Sequence, residues 1–182
     1  MGTLCYTLIE SESDIRDFDC GNASINRLVA NSVFPCILKQ SQTYKMTIQG
    51  KCVGFFSVSI CGVSLENSDA PIASYYDGTP SFGAVKVDFI AVDKKAQKHG
   101  IGSTALKYIV KEARVLSTQW PVRVLILDAL RDVVDWYMDR GFSPVNTGDL
   151  EGFSPSVRLY IDLITKEEQT KLDQYIENSI TY

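Results

Sequence analysis

The stretch from Ala84 to Leu127 constrains the fold more than any other part of the chain. Ala84 to Val92 is a strand in which Val85, Val87, Phe89 and Ala91 alternate with Ala84, Lys86, Asp88, Ile90 and Val92. That alternation predicts one apolar face and one carrying Lys86 and Asp88. Beyond the connection Asp93 to His99, Ile101 to Ser117 sets Leu106, Ile109, Val110, Ala113 and Leu116 at three- and four-residue spacing, the pattern of an amphipathic helix. Val122 to Leu127 then reads as a buried strand. Strand, helix and strand over this length form a βαβ unit, so the two strands are expected to be parallel and the crossover right-handed.

The N-terminal half has a different character. Leu4 to Ile9 is a short strand, and Ala23 to Val29 has helical spacing that Pro35 is expected to end. Thr43 to Ile48 and Cys52 to Val63 flank Gln49-Gly50-Lys51, which suits an antiparallel hairpin. Ser64 to Gly83, with its Asn, Asp, Gly, Ser and Pro residues, is an irregular loop. Downstream, Asp132 to Arg140 is a short helix stopped by Gly141, and Ser156 to Asp162 is a late strand. Thr165 to Glu168 has capping-box spacing for a last helix with Leu172, Tyr175, Ile176 and Ile180 on one side. That stripe is expected to pack on the chain's own sheet, a dimer contact being its other use. The sum is an α/β chain with a mixed sheet: antiparallel N-terminal strands, a central parallel βαβ crossover, and helices on both faces.

With 182 residues the chain is expected to form one domain spanning 1–182. All five cysteines lie in the first third, an odd number without a C-x-x-C pair, so neither a disulfide framework nor a zinc site is expected. His99 is the single histidine, which argues against a histidine-ligated metal or a Ser-His-Asp triad. There is no basic segment followed by an apolar run at the N-terminus. No stretch reaches the roughly 18 apolar residues of a membrane span, so a cytoplasmic protein without membrane attachment is expected.

The junction before the central helix is where chemistry first shows. A helix start leaves N–H groups unpaired and carries partial positive charge, so it seats anions. Gly100 and Gly102 flank Ile101 there, and without Cβ atoms they allow a ligand close to the backbone. Lys94, Lys95 and Lys98 add charge. The alternative, a dinucleotide fingerprint, finds Ala105 at its third small position but needs a strand ending directly at the first glycine; here Asp93 to His99 intervene.

The run Gln97-Lys98-His99-Gly100-Ile101-Gly102 after a strand ending Ile90-Ala91-Val92 resembles the signature of the GNAT superfamily of N-acetyltransferases, Q/R-x-x-G-x-G/A. A second marker, aromatic-Tyr-x-x-x-Gly-Phe, is matched by Trp136-Tyr137 through Gly141-Phe142. Phe18 to Gly21 and Val53 to Ser57 look like the N-terminal half of toxin-related bacterial members. One departure is Asp128-Ala129-Leu130, which stand where many members carry an Asn that contacts the pantetheine arm.

The resemblance implies acetyl-CoA as donor, no metal, and direct attack by an amine within a ternary complex. It places the pyrophosphate on Gln97, Lys98, His99, Gly100, Ile101, Gly102 and Ser103, with His99 a variable position of that loop. Ser103 and Thr104 either touch phosphate or cap the helix. Backbone N–H groups around Ile90, Ala91 and Val92 lie near the thioester carbonyl, and Tyr137 serves the departing thiolate. The other reading of Tyr137 is packing beside Trp136. Asp88 is the candidate proton acceptor, with a water chain as the alternative.

The formal charge of −4 gives no general attraction to nucleic acid, so a small-molecule or peptide amine, entering near Ser64 to Gly83, is the leading acceptor. Aminoacyl-tRNA, the acceptor of toxin-type members, is the alternative, and a catalytically silent acyl-CoA-binding module is the third reading. Either a monomer or a homodimer is compatible with the sequence.

Overall fold

A computed structural model describes residues 2–65, 68–70, 72 and 81–180, the side chains of 179 and 180 excepted. Its strands are β1 (Leu4–Leu8), β2 (Gln42–Ile48), β3 (Lys51–Ser64), β4 (Ser81–Val92), β5 (Val122–Leu130), β6 (Ser143–Pro144) and β7 (Ser156–Asp162). They form one seven-stranded sheet in the order β1-β2-β3-β4-β5-β7-β6. The β4–β5 pair is parallel and the other neighbours are antiparallel, as the crossover demands. At the β2–β3 hairpin Gln49 (φ 51°) and Gly50 (φ 77°) both take the left-handed conformation, the type I′ geometry that follows the strand twist.

One face of the sheet carries α3 (Ile101–Ser117) and α4 (Val134–Met138) on a core built from Phe56, Val85, Leu125 and Leu127 with Leu106 and Ile109. The opposite face is covered in two places. Helices α1 (Ala23–Ala30) and α2 (Val33–Ile37) pack on Phe55, Phe89 and Ala91, and Leu65, Ala70 and Ile72 pack on Phe82, Val124 and Ile126.

The alternation expected along β4 does not hold throughout. Phe89 pairs with Ser57 and Val87 with Val58, which leaves Asp88 as an extra residue in a β-bulge. The bulge reverses the pleat. Val85 and Val87 therefore face α3, whereas Phe89 and Ala91 face α1. Pro35 also behaves differently from expectation. The first helix already ends at Asn31, and Pro35 lies in the first turn of α2, where its missing N–H costs nothing.

The last helix, α5 (Lys166–Ile180), starts with a reciprocal cap: Thr165 N donates to Glu168 Oε2 at 2.8 Å and Glu168 N to Thr165 Oγ1 at 3.2 Å. Its apolar stripe is less covered than expected, with Tyr175 72% exposed and Leu172 and Ile176 half-buried outside the core clusters. The side chain of Ile180 lies outside the described set. All five cysteines are free, and no described helix is long and apolar enough to cross a membrane.

Candidate functional site

The β4–β5 ladder runs from Gly83/Val122 to Val87/Leu127 and then stops, while β4 continues to Val92 and β5 to Leu130. Between the two diverging ends lies a cleft of about 770 Å³, within the range of small-molecule sites. Its walls include Asp88, Ile90, Ala91, Val92, Gln97 and Lys98 on the β4 side. Gly100, Ile101, Gly102 and Ser103 from the start of α3, and Tyr137 from α4, complete the set that the sequence singles out. His99 is not among the lining residues; its Nδ1 lies 3.3 Å from Ala96 O.

Backbone conformation prepares one end of this cleft for an anion. Lys98 (φ 64°) and Gly100 (φ 77°) are both left-handed with His99 between them, a tight turn that leads directly into the start of α3. Gly100 is the N-cap of α3 and offers no side-chain cap, so the N–H groups of Ile101, Gly102 and Ser103 have no partner within the helix. A Cβ on Gly102 would reach only ordinary contact, 3.8 Å from Trp136 and from Val92. Protein packing does not demand that glycine, and the free space is available to a ligand.

Several side chains of this loop act as struts. Gln97 Nε2 donates to Cys20 O at 2.8 Å and Val92 O at 3.0 Å, tying the loop to the entry of α1. Lys94 Nζ lies 2.6 Å from Asp19 Oδ2, and this contact, with Asn26 and Gly21 N–H donors, holds the Asp19 carboxyl far below the usual carboxylate range. Thr104 Oγ1 donates back to Gly100 O at 3.1 Å, a bond within the first turn that leaves the N–H groups of the helix start uncapped.

Ser103 has a partner that sequence reasoning missed. Arg140 donates to Ser103 Oγ from Nη2 at 3.1 Å and from Nε at 3.3 Å, and its guanidinium stacks 4.1 Å above the Trp136 ring. A cation is thereby fixed beside the helix start. The signal was present as Trp136 and Arg140, four residues apart on one helical face.

At the floor of the cleft Tyr137 packs edge-on against Trp136 and Phe142, with ring centroids 4.8 and 5.5 Å away. Its hydroxyl has no hydrogen-bond partner among the described residues, and burial pushes the phenol up to about 12. A phenol that stays protonated with a free hydroxyl is suited to donate. Across the cleft, Ser57 Oγ and Ser59 Oγ donate to the two oxygens of Asp88 at 3.1 and 2.9 Å, which fixes the bulged carboxylate. On β5, Asp128 also lines the cleft and sits between Lys86 (3.1 Å) and Arg158 (2.8 Å), an ion-paired role that the sequence departure at this position did not reveal. The entrance expected along Ser64 to Gly83 falls largely on 66, 67, 71 and 73–80, outside the described residues.

Gly100→Ala should test the anion seat. Nothing lies within 4 Å of the added methyl, so the fold meets only the left-handed strain of about 1–2 kcal/mol. Affinity for acetyl-CoA, the donor that the sequence resemblance implies, should fall about tenfold or more. Thermal unfolding and calorimetry read the two effects, and wild-type affinity would place the seat elsewhere.

No family model and no curated protein matches this sequence. Solved structures do share its architecture. A mutant of KacT superposes with a TM-score of 0.73 at 16% identity, covering 88% of this chain and 95% of its own. AtaT complexed with acetyl-methionyl-tRNAfMet gives 0.72 at 16% identity, with 88% and 95% covered. A mutant AtaT toxin bound to acetyl-CoA and the C-terminus of the antitoxin AtaR gives 0.66 at 17%, with 88% and 94% covered. What these proteins share with this chain at such identity is the fold, a mixed α/β sheet of the kind expected from the sequence.

Proposed function

We propose that this protein is an acetyl-CoA-dependent N-acetyltransferase of the toxin type, which transfers acetyl to the amino group of an aminoacyl-tRNA. The observation that carries the reading is the cleft between the parted ends of β4 and β5. Its anion seat at the start of α3 and its protonated, unpartnered Tyr137 belong to a fold shared along most of its length with AtaT, which was solved with an acetylated methionyl-tRNA. The acidic balance made a small amine the leading acceptor on sequence grounds. Likeness to AtaT, solved with acetyl-methionyl-tRNAfMet, shifts the preference to charged tRNA.

The residues divide the reaction as follows. Phosphates of the donor rest on the N–H groups of Ile101 to Ser103, beside Lys98 and Arg140. On β4 beyond Val87, backbone groups on the edge that β5 has left face the cleft, and the N–H groups among Ile90 to Val92 receive the charge that builds on the thioester oxygen. The acceptor nitrogen attacks the carbonyl carbon, its C–N bond forming as the C–S bond breaks. Tyr137 gives its proton to the departing sulfur, and the proton lost by the amine passes to Asp88, which the two serines orient.

Incubating a set of charged tRNAs with labelled acetyl-CoA and enzyme should move label onto the aminoacyl group, and Asp88→Asn should slow that transfer. An absence of label on every charged tRNA, with turnover on small amines or peptides, would return the acceptor to the small-molecule class. Calorimetric binding of acetyl-CoA without turnover on any amine would leave a silent binding module.

A further inference from the structure

The sheet face opposite α3 is apolar where α1 covers it and apolar again under Leu65, Ala70 and Ile72. Between these covers it is polar. Asp88 and Lys86 on β4, Asp128 on β5 and Arg158 on β7 follow one another across the strands, Asp128 and Arg158 being direct register partners. Among the described residues no helix crosses this strip, and it begins at the point where Asp88 and Asp128 line the donor cleft.

Formal charge on the strip cancels, but donors do not balance acceptors. Asp88 already accepts from Ser57 and Ser59, and Asp128 accepts from both cations. Lys86 has three N–H donors and spends one contact on Asp128. Arg158 has five and uses Nε and Nη2, leaving Nη1 without a partner among the described residues. Its side chain is 51% exposed and that of Lys86 is 36% exposed. Asp128 thus holds two cations in fixed positions, with unused donors, on partly exposed side chains of a strip that meets the cleft at Asp88 and Asp128. A guanidinium so held matches an oxyanion, phosphate above all.

We infer that Lys86 and Arg158 bind a phosphodiester of the acceptor close to its reactive amine, with Asp128 as a positioning residue. The inference deepens the proposed function and rests on it: an aminoacyl ester has no carboxylate of its own, so its nearest anion is the phosphodiester of the terminal nucleotides. It also answers the objection from net charge. Backbone recognition needs a local donor surplus and no basic molecule as a whole.

The test compares two acceptors, methionyl-CCA trinucleotide, which contains phosphodiesters, and 3′-O-methionyl-adenosine, which contains none. Wild-type enzyme should show a KM about tenfold or more lower for the trinucleotide, with a preference that shrinks as salt rises. Arg158→Ala and Lys86→Ala should each erode the preference and flatten its salt dependence. Arg158→Lys, which keeps the charge, should retain part of it, and Asp128→Asn should weaken it without removing it. Alanine variants that discriminate as the wild type does would overturn the inference while leaving the acetyltransferase reading intact. If neither ester is acetylated, the set of charged tRNAs decides the acceptor reading, and uncharged CCA in a calorimeter decides the strip separately. Binding lost in Arg158→Ala supports the phosphate site, and no binding or equal binding overturns it.

Discussion

Tyr137→Phe should lower the single-turnover rate by about 10²-fold or more while leaving acetyl-CoA affinity and thermal stability close to wild type. Stability should hold because the hydroxyl has no partner among the described residues to lose, and the ring contacts with Trp136 and Phe142 survive in phenylalanine. The rate should fall because the departing sulfur then leaves as a thiolate with no donor beside it. The pH dependence carries a sign of its own. Desolvation disfavours the phenolate and pushes Tyr137 up to about 12, so the proton-donating form persists well above the ordinary phenol range near 10. The wild-type rate should therefore show no decline attributable to this group between about pH 9 and 10, where an ordinary phenol would begin to lose its proton. A variant with the wild-type rate would leave Tyr137 with packing alone, the other role that its place beside Trp136 allows.

The central βαβ unit was legible because its signals are local and consistent. The apolar spacing from Ile101 to Ser117 coincides with α3, the Thr165–Glu168 cap forms as its spacing predicts, and Gly100 takes the left-handed turn that its place before a helix suggests. The bulge at Asp88 was not legible. Strand periodicity assumes an unbroken pleat, and nothing in Val87-Asp88-Phe89 marks the extra residue, which is defined by pairing with Ser57 and Val58 more than two dozen residues away. For the same reason the tethers of Gln97 and Lys94 were not legible: their partners Cys20 and Asp19 arrive from a distant part of the chain. Asp128 read as a departure, since its meaning depends on Lys86 and Arg158 on the neighbouring strands. Arg140 escaped notice because exposed arginines are common, and its partner Ser103 belongs to another helix. Residue types pointed to the proposed donor end of the cleft, whereas the proposed acceptor end is a property of strand register.

Gly54→Ala should be among the most damaging single-methyl changes available to this chain, because Gly54 sits in β3 opposite Val92, the last residue of β4. An added Cβ would overlap the carbonyl oxygen of Ala91, approach Met46 Cε to 2.6 Å and come within 3.1 Å of Val92 Cα. The methionine end could swing aside, but Met46 is fully buried and the other two neighbours are backbone. Relief then requires β4 to move away from β3 at Ala91 and Val92, the stretch whose N–H groups the proposed mechanism uses. The expected cost is about 3 kcal/mol, at the upper end for overpacking, read by chemical denaturation. Molecules that remain folded should turn over more slowly, since donors displaced from the thioester oxygen lose their preorganisation. Gly62→Ala on the same strand provides the contrast. Its added methyl would meet only Ser81 Oγ at 3.8 Å, so that variant should be neutral or gain up to about 1 kcal/mol from reduced chain freedom. Equal stability for the two variants would mean that β3 and β4 can separate at Val92 without penalty, and the mouth of the cleft would then be a compliant part of the sheet.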